Sequence, residues 1–206
     1  MGSRYGATGA RGTVKYIEAR VSKETALRFF TRRRLRNAYG LLRSRRRLLP
    51  SGREIPYIER VWMPFYIVTL RVVSHRGPGE VTVSVEGYSG SFAIFQMHED
   101  LVEGALTEEW FPPRMSEEEA VRVGREQLLQ TILRRRGQQE KPVVEETLGI
   151  DVIYYPFWVY YFERRPGVLD IALQDALTAE RGGNRNRAGL LDAFVCHSKI
   201  KEDRAQ

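Results

Sequence analysis

The amino-acid sequence predicts an α+β fold of two similar units, each a helix followed by an antiparallel β-hairpin. Three observations carry that expectation. The stretch VWMPFYIVTLRVV around Pro64 returns 92 positions later as IYYPFWVYYFERR around Pro156, with Pro-Phe, an aromatic residue and a β-branched residue in the same order. Downstream, Val81, Val83 and Val85 match Leu169, Ile171 and Leu173 at an offset of 88. Upstream, Ser22-Lys23-Glu24-Thr25-Ala26-Leu27 matches Ser116-Glu117-Glu118-Glu119-Ala120-Val121. Such self-similarity at a fixed spacing marks a repeated supersecondary unit.

The elements follow in order. Residues 1–20 are a flexible N-terminus or a short strand, and MGSRYGATGARG lacks the apolar run of a secretory signal. The first unit, residues 21–107, opens with Ser22 as a helix N-cap, and its helix is expected to reach the arginine triplet at 45–47. A strand through Pro64 and a second strand at residues 81–85 alternate apolar and polar side chains, so each has a face to bury. Pro78-Gly79 between them has the chemistry of a type II turn. Residues 92–106 read as a short apolar extension, helix or strand.

Residues 108–115, EEWFPPRM, form a linker, because Pro-Pro stops regular structure just before the next cap. The second unit, residues 116–196, starts at a capping box of Ser116 and Glu119, and its helix ends in the arginine triplet 134–136. The Pro156 strand, a Pro166-Gly167 turn and a strand at 169–173 complete the hairpin. Residues 181–187, RGGNRNR, read as an exposed loop, residues 188–195 as an apolar extension, and 197–206 as a flexible tail. Proline cannot donate to a ladder, so Pro64 and Pro156 each mark an edge or a bulge. Two equivalent edges can pair with each other, joining the halves into one sheet with helices on one face; two separate small sheets satisfy the sequence equally well.

Composition excludes several classes. Apolar residues make up 42% of 206, which suits a globular core. The run IYYPFWVYYF falls well short of the ~20 apolar residues of a membrane-spanning helix. Cys196 alone allows no internal disulfide, and with no signal recognised a cytoplasmic location is expected. Charge is local: residues 1–60 hold 16 Lys/Arg against 4 Asp/Glu, while residues 98–147 hold 7 against 12. Local basicity is what a polyanion or an acidic partner reads.

A Ser-capped helix with Glu and Ala in its first turn, an aromatic strand (Tyr155-Pro156-Phe157-Trp158-Val159), a Gly turn and a second alternating strand (Asp170 to Thr178) resemble the PepSY-type, cystatin-like unit. Here it occurs twice and covers most of residues 20–180. The resemblance implies a noncatalytic binding or inhibitory module, often outside the cytoplasm. The first half departs from it, with Glu86-Gly87-Tyr88-Ser89-Gly90 where the second has Gln174-Asp175-Ala176-Leu177-Thr178.

Two candidate sites emerge. On a helix through residues 29–47, Arg32, Arg36, Arg43, Arg46 and Arg47 fall within an arc of about 100°, with Phe29 and Tyr39 beside them, so guanidiniums could hold phosphates while rings stack on bases. Arginines merely solvated, or paired with the acidic stretch, would look the same, and Gly40 could break the helix. The second candidate is the aromatic strand. Tyr154, Trp158 and Tyr160 share one face, with Trp62 and Tyr66 on the counterpart strand; such a strand is a two-sided core element or, with one face open, a partner groove. The histidines and Cys196 lack metal-ligand spacing, no catalytic motif stands out, and no cofactor is expected. The expected function is therefore a noncatalytic binding or assembly module with a protein partner or self-association. The alternatives are a nucleic-acid or other polyanion binder, and an enzyme whose site assembles only in the fold.

Overall fold

The computed structural model describes residues 13–32, 47–48, 54–74, 77–106, 108–134, 142–165 and 167–203. In chain order these form β1 (Val14–Ile17), α1 (Lys23–Thr31), β2 (Arg47–Leu48), β3 (Glu54–Ile55), β4 (Tyr57–Ser74), β5 (Gly77–Glu86), β6 (Phe92–Ile94), a 3-10 turn (His98–Asp100), β7 (Leu101–Gly104), β8 (Glu109–Trp110), α2 (Glu117–Arg134), β9 (Val143–Arg165), β10 (Val168–Asp175) and α3 (Asn184–Asp203). The fold is α+β. Eight strands form one mixed sheet in the order β6-β5-β4-β9-β1-β7, with β10 also on β9 and β8 also on β4, while β2 and β3 pair separately.

The two proline strands are the centre of this sheet. β4 and β9 run antiparallel from Tyr57↔Tyr161 to Val73↔Val143, so the halves share one sheet. Met63 and Tyr155, each the residue before its proline, face each other in the ladder. Contacts on either side of that pair match. β8 lies parallel to β4 at Val61 and Trp62, and β1 lies parallel to β9 at Ile153 and Tyr154. The Pro64 carbonyl accepts from Gly87 at 2.9 Å and the Pro156 carbonyl from Ala176 at 3.2 Å. The Gly87 carbonyl then accepts from the amides of Arg114 and Met115, as that of Ala176 accepts from Arg20 and Val21. The prolines fit because each sits in a gap on its strand's outer side. Pairing with β8 stops at Trp62 and with β5 begins at Phe65; pairing with β1 stops at Tyr154 and with β10 begins at Phe157. No neighbouring strand needs the missing N–H.

Alternation then sorts the side chains into layers. On one face, Tyr66, Val68 and Leu70 pack under α2, and Trp158, Tyr160 and Phe162 pack under α1. On the other, Met63, Ile153, Tyr155 and Phe157 pack with Leu190 and Ala193 of α3. Helices therefore cover both faces, not the single face expected. Each apolar side chain so buried contributes about 1.5–3 kcal/mol.

The boundaries bring further corrections. α1 does not reach the arginine triplet at 45–47: it ends at Thr31, and Arg32 turns out of the helix at ψ 121°. Pro78 and Gly79 are not a turn but pair with Val73 and Val72 inside the ladder. Proline is tolerated there because, among the described residues, β6 joins β5 at Val83–Val85 and no strand pairs with the outer side of β5 at Pro78. The second hairpin turns where expected, with Gly167 at φ 79°. The linker contains β8. α3 starts inside the expected loop at Asn184 and continues through the expected tail to Asp203.

Candidate functional site

The five aromatic residues offered as a groove lie inside the protein. Trp62, Tyr66, Tyr154, Trp158 and Tyr160 are all buried. The Trp158 indole N–H donates to the Val21 carbonyl at 2.8 Å, and the Tyr66 hydroxyl donates to the Met115 carbonyl at 2.6 Å. Each thus anchors the residue just before a helix cap, the caps being Ser22, which accepts from the Thr25 amide, and Ser116, which accepts from the Glu119 amide. Tyr160 stacks on Phe30 at 5.1 Å. Trp62 donates to Glu108, which grips Arg60 at 2.5 and 2.6 Å and holds its guanidinium over the rings of Trp62 and Trp158. Tyr154 meets the edge of Trp110, which is 41% exposed.

Of the arginine stripe, the structure describes Arg32 and Arg47, and neither lies within α1. Arg32 caps the end of α1 through its backbone N–H to the Arg28 carbonyl, and Arg47 begins β2 opposite Ile55. Arg36, Arg43 and Arg46 lie outside the described residues, as does His75. Among the described residues no group of three or more His, Cys, Asp or Glu side chains is placed to hold a metal ion.

A different set of arginines does converge. A cleft of about 710 Å³ opens along the outer edge of β10, walled by Phe162, Ile171 and Leu173 and rimmed by Arg164, Arg181 and Arg187. The fold assembles it in three steps. The Gly167 turn brings Arg164 of β9 beside Asp170 of β10, with a register shift at Val168 and Leu169. Gly182 donates its amide to the Leu173 carbonyl at 2.9 Å and lies so close that a Cβ there would come within 2.6 Å of the Leu173 Cβ. The chain then enters α3, whose first turn carries Arg185 and Arg187 and no acidic residue, against the preference of a helix N-terminus for negative charge.

Asp170 organises the cleft. Its carboxylate accepts from the Ile171 amide at 2.8 Å, pairs with Arg187 and lies 3.7 Å from Arg164. Arg187 also donates to the Ile171 carbonyl at 3.2 Å. Burial pushes the Asp170 carboxyl up, but the Arg187 hydrogen bond, the Ile171 amide and the charges of Arg187 and Arg164 outweigh it and hold it below its ordinary 3.8. Arg181 makes no side-chain ion pair or hydrogen bond among the described residues.

Two further carboxylates close the turns after the hairpins. Glu86, 1% exposed, accepts from the amides of Tyr88 and Ser89 at 3.0 and 2.6 Å. Asp175 accepts from those of Leu177 and Thr178 at 2.8 and 2.9 Å and from the Tyr155 hydroxyl. Burial raises the Glu86 carboxyl above 4.5, against its hydrogen bonds, with Asp192 of α3 adding repulsion. Burial likewise raises Tyr155, with the neighbouring Asp175 charge acting in the same sense.

Sequence reasoning missed Arg164, Asp170, Arg181 and Arg187 because RGGNRNR reads as a solvated loop. The signal present was a Gly-Gly pair followed at once by an acid-free, arginine-bearing helix start. No family model, no curated protein and no solved structure matches the chain.

Proposed function

We propose that this protein is a noncatalytic binding module and that the cleft along β10 is where it holds an anion. The observation that carries this reading is a cleft lined by three guanidiniums, of which Arg187 and Arg164 pair with its one carboxylate, Asp170, while Arg181 makes no side-chain ion pair or hydrogen bond among the described residues. Guanidiniums stay protonated at all physiological pH and present fixed forks of N–H donors, so they hold anions without exchanging protons with them. A binding role is also what the resemblance to the PepSY-type unit implies. The polyanion reading attached to residues 29–47 moves, on this view, to Arg164, Arg181 and Arg187.

The test is calorimetric titration of the full chain with inorganic pyrophosphate, beside Arg181→Gln. The Arg181 side chain makes no ion pair or hydrogen bond among the described residues, and its backbone bridge to Gln174 survives the substitution, so the variant should melt as the parent does and bind at least tenfold more weakly. Unchanged affinity in Arg181→Gln and in Arg187→Gln would overturn the assignment.

A further inference from the structure

We infer that the group seated in the cleft is the dianionic phosphate monoester of a small molecule; the inference rests on the anion-binding reading above. Charge balance is the first argument. Arg164, Arg181 and Arg187 against Asp170 leave two positive charges uncompensated. A phosphate monoester carries about −1.5 to −2 at pH 7 and neutralises them, whereas a carboxylate leaves one over.

Donor geometry is the second. Arg187 spends one N–H on the Ile171 carbonyl and another on Asp170, which fixes its plane and leaves its remaining donors for a ligand. Arg181, with no side-chain ion pair or hydrogen bond among the described residues, keeps its whole fork for a ligand. Three terminal oxygens of a tetrahedral group accept from several forks at once, while a planar carboxylate is satisfied by one. The first turn of α3 adds to this without being needed for it. Its first helical bond runs from the Arg187 amide to the Gly183 carbonyl, so the amides of residues 184–186 precede the hydrogen-bonded turns, and Gly183 has no side chain to cap them.

Size and lining make the third argument. The volume lies within the ~300–1,000 Å³ of small-molecule sites, and because Phe162, Ile171 and Leu173 are themselves almost wholly buried, the surface offered to a ligand is mainly polar, as an anionic head requires. The two hairpins also differ at this edge. Beside β5, β6 pairs at Val83, Ser84 and Val85, whereas beside β10 the described chain is held by the Asp175 amide to the Glu180 carbonyl, the Gln174↔Arg181 bridge and the Gly182 amide before turning into α3.

The experiment titrates the full chain with phenyl phosphate, benzoate and a heparin fragment at constant ionic strength, at pH 7.5 and pH 5. The charged groups facing the ligand are Arg164 from β9, Asp170 from β10, Arg181 from the connecting segment and Arg187 from α3; guanidiniums as a class stay protonated and Asp170 is held below its ordinary 3.8, so the profile reports the ligand's second proton, near pH 6. Phenyl phosphate should bind at least tenfold tighter than benzoate at pH 7.5, lose about tenfold at pH 5, and lose its advantage in Arg181→Gln. Equal binding of phenyl phosphate and benzoate, both weakened in Arg181→Gln, would sink this inference and leave the anion-binding reading standing. Binding of the heparin fragment alone would replace the small molecule with a polyanion, and binding of none of the three would remove both readings.

Discussion

Removing the hydroxyl of Tyr66 and the indole N–H of Trp158 should cost stability in parallel, because the two groups do the same work at opposite ends of the sheet. Tyr66→Phe deletes one oxygen and leaves the Met115 carbonyl without the donor it has at 2.6 Å, next to the Ser116 cap. Leaving a partly buried acceptor unpaired costs about 1–2 kcal/mol. Trp158→Phe leaves the Val21 carbonyl without its donor at 2.8 Å and also withdraws ring atoms from a site 6% exposed, so its cost rises to about 2–4 kcal/mol. In a chain of this length each kcal/mol lowers the melting temperature by about 2–4 °C. Thermal unfolding followed by far-ultraviolet circular dichroism measures both. The two side chains sit in separate apolar clusters under different helices, so the double variant should show the sum of the single losses within about 0.5 kcal/mol. A Tyr66→Phe protein that melts within 1 °C of the parent would refute the claim that these hydrogen bonds hold the helix starts to the sheet.

Two further predictions concern the turns. Burial holds the folded-state value of Glu86 above 4.5, so the stability linked to its protonation is fully present below that pH and is lost as pH rises through the folded value. The melting temperature of Glu86→Gln should accordingly depend less on pH between 4.5 and 8 than the parent's, and identical slopes would count against it. Ala179 sits at φ 62° where the corresponding turn residue after β5 is Gly90 at φ 66°. Ala179→Gly should raise stability by about 1 kcal/mol in urea titration, since a Cβ in the left-handed region costs that much, and a loss would mean the alanine methyl packs usefully.

The central sheet was legible because its signals are local. Pro-Phe after an apolar pair, flanked by aromatic and β-branched residues, fixes a strand wherever it occurs, and Ser22 and Ser116 cap helices by contacts three residues away. What the sequence left open was decided at long range. Whether β4 and β9 pair depends on residues near position 64 meeting residues near 154, and nothing local to either strand encodes that choice. The stop of α1 at Thr31 has no strong local signal in the sequence, where an Arg- and Leu-rich periodicity runs on beyond it. The cleft was hidden for a similar reason: Arg164 and Arg187 become neighbours only because Asp170, on a strand between them in sequence, binds both.

The reciprocal anchoring has a consequence for how the protein unfolds. Val21, which precedes α1, is held by Trp158 of β9, and Met115, which precedes α2, is held by Tyr66 of β4. β1 completes the edge of β9, and β8 that of β4. Neither half therefore finishes its own core; each lends a strand and a helix start to the other's central strand. Two self-sufficient domains would lose structure in separate steps, but elements that share every layer must be lost together. Urea unfolding should then give coincident transitions by tryptophan fluorescence, which includes Trp62 and Trp158 at the junction, and by circular dichroism, which averages the helices and the sheet. Two resolved transitions, or a fluorescence midpoint separated from the dichroism midpoint, would show that the halves stand independently and that the long antiparallel seam between β4 and β9 contributes little to holding them together.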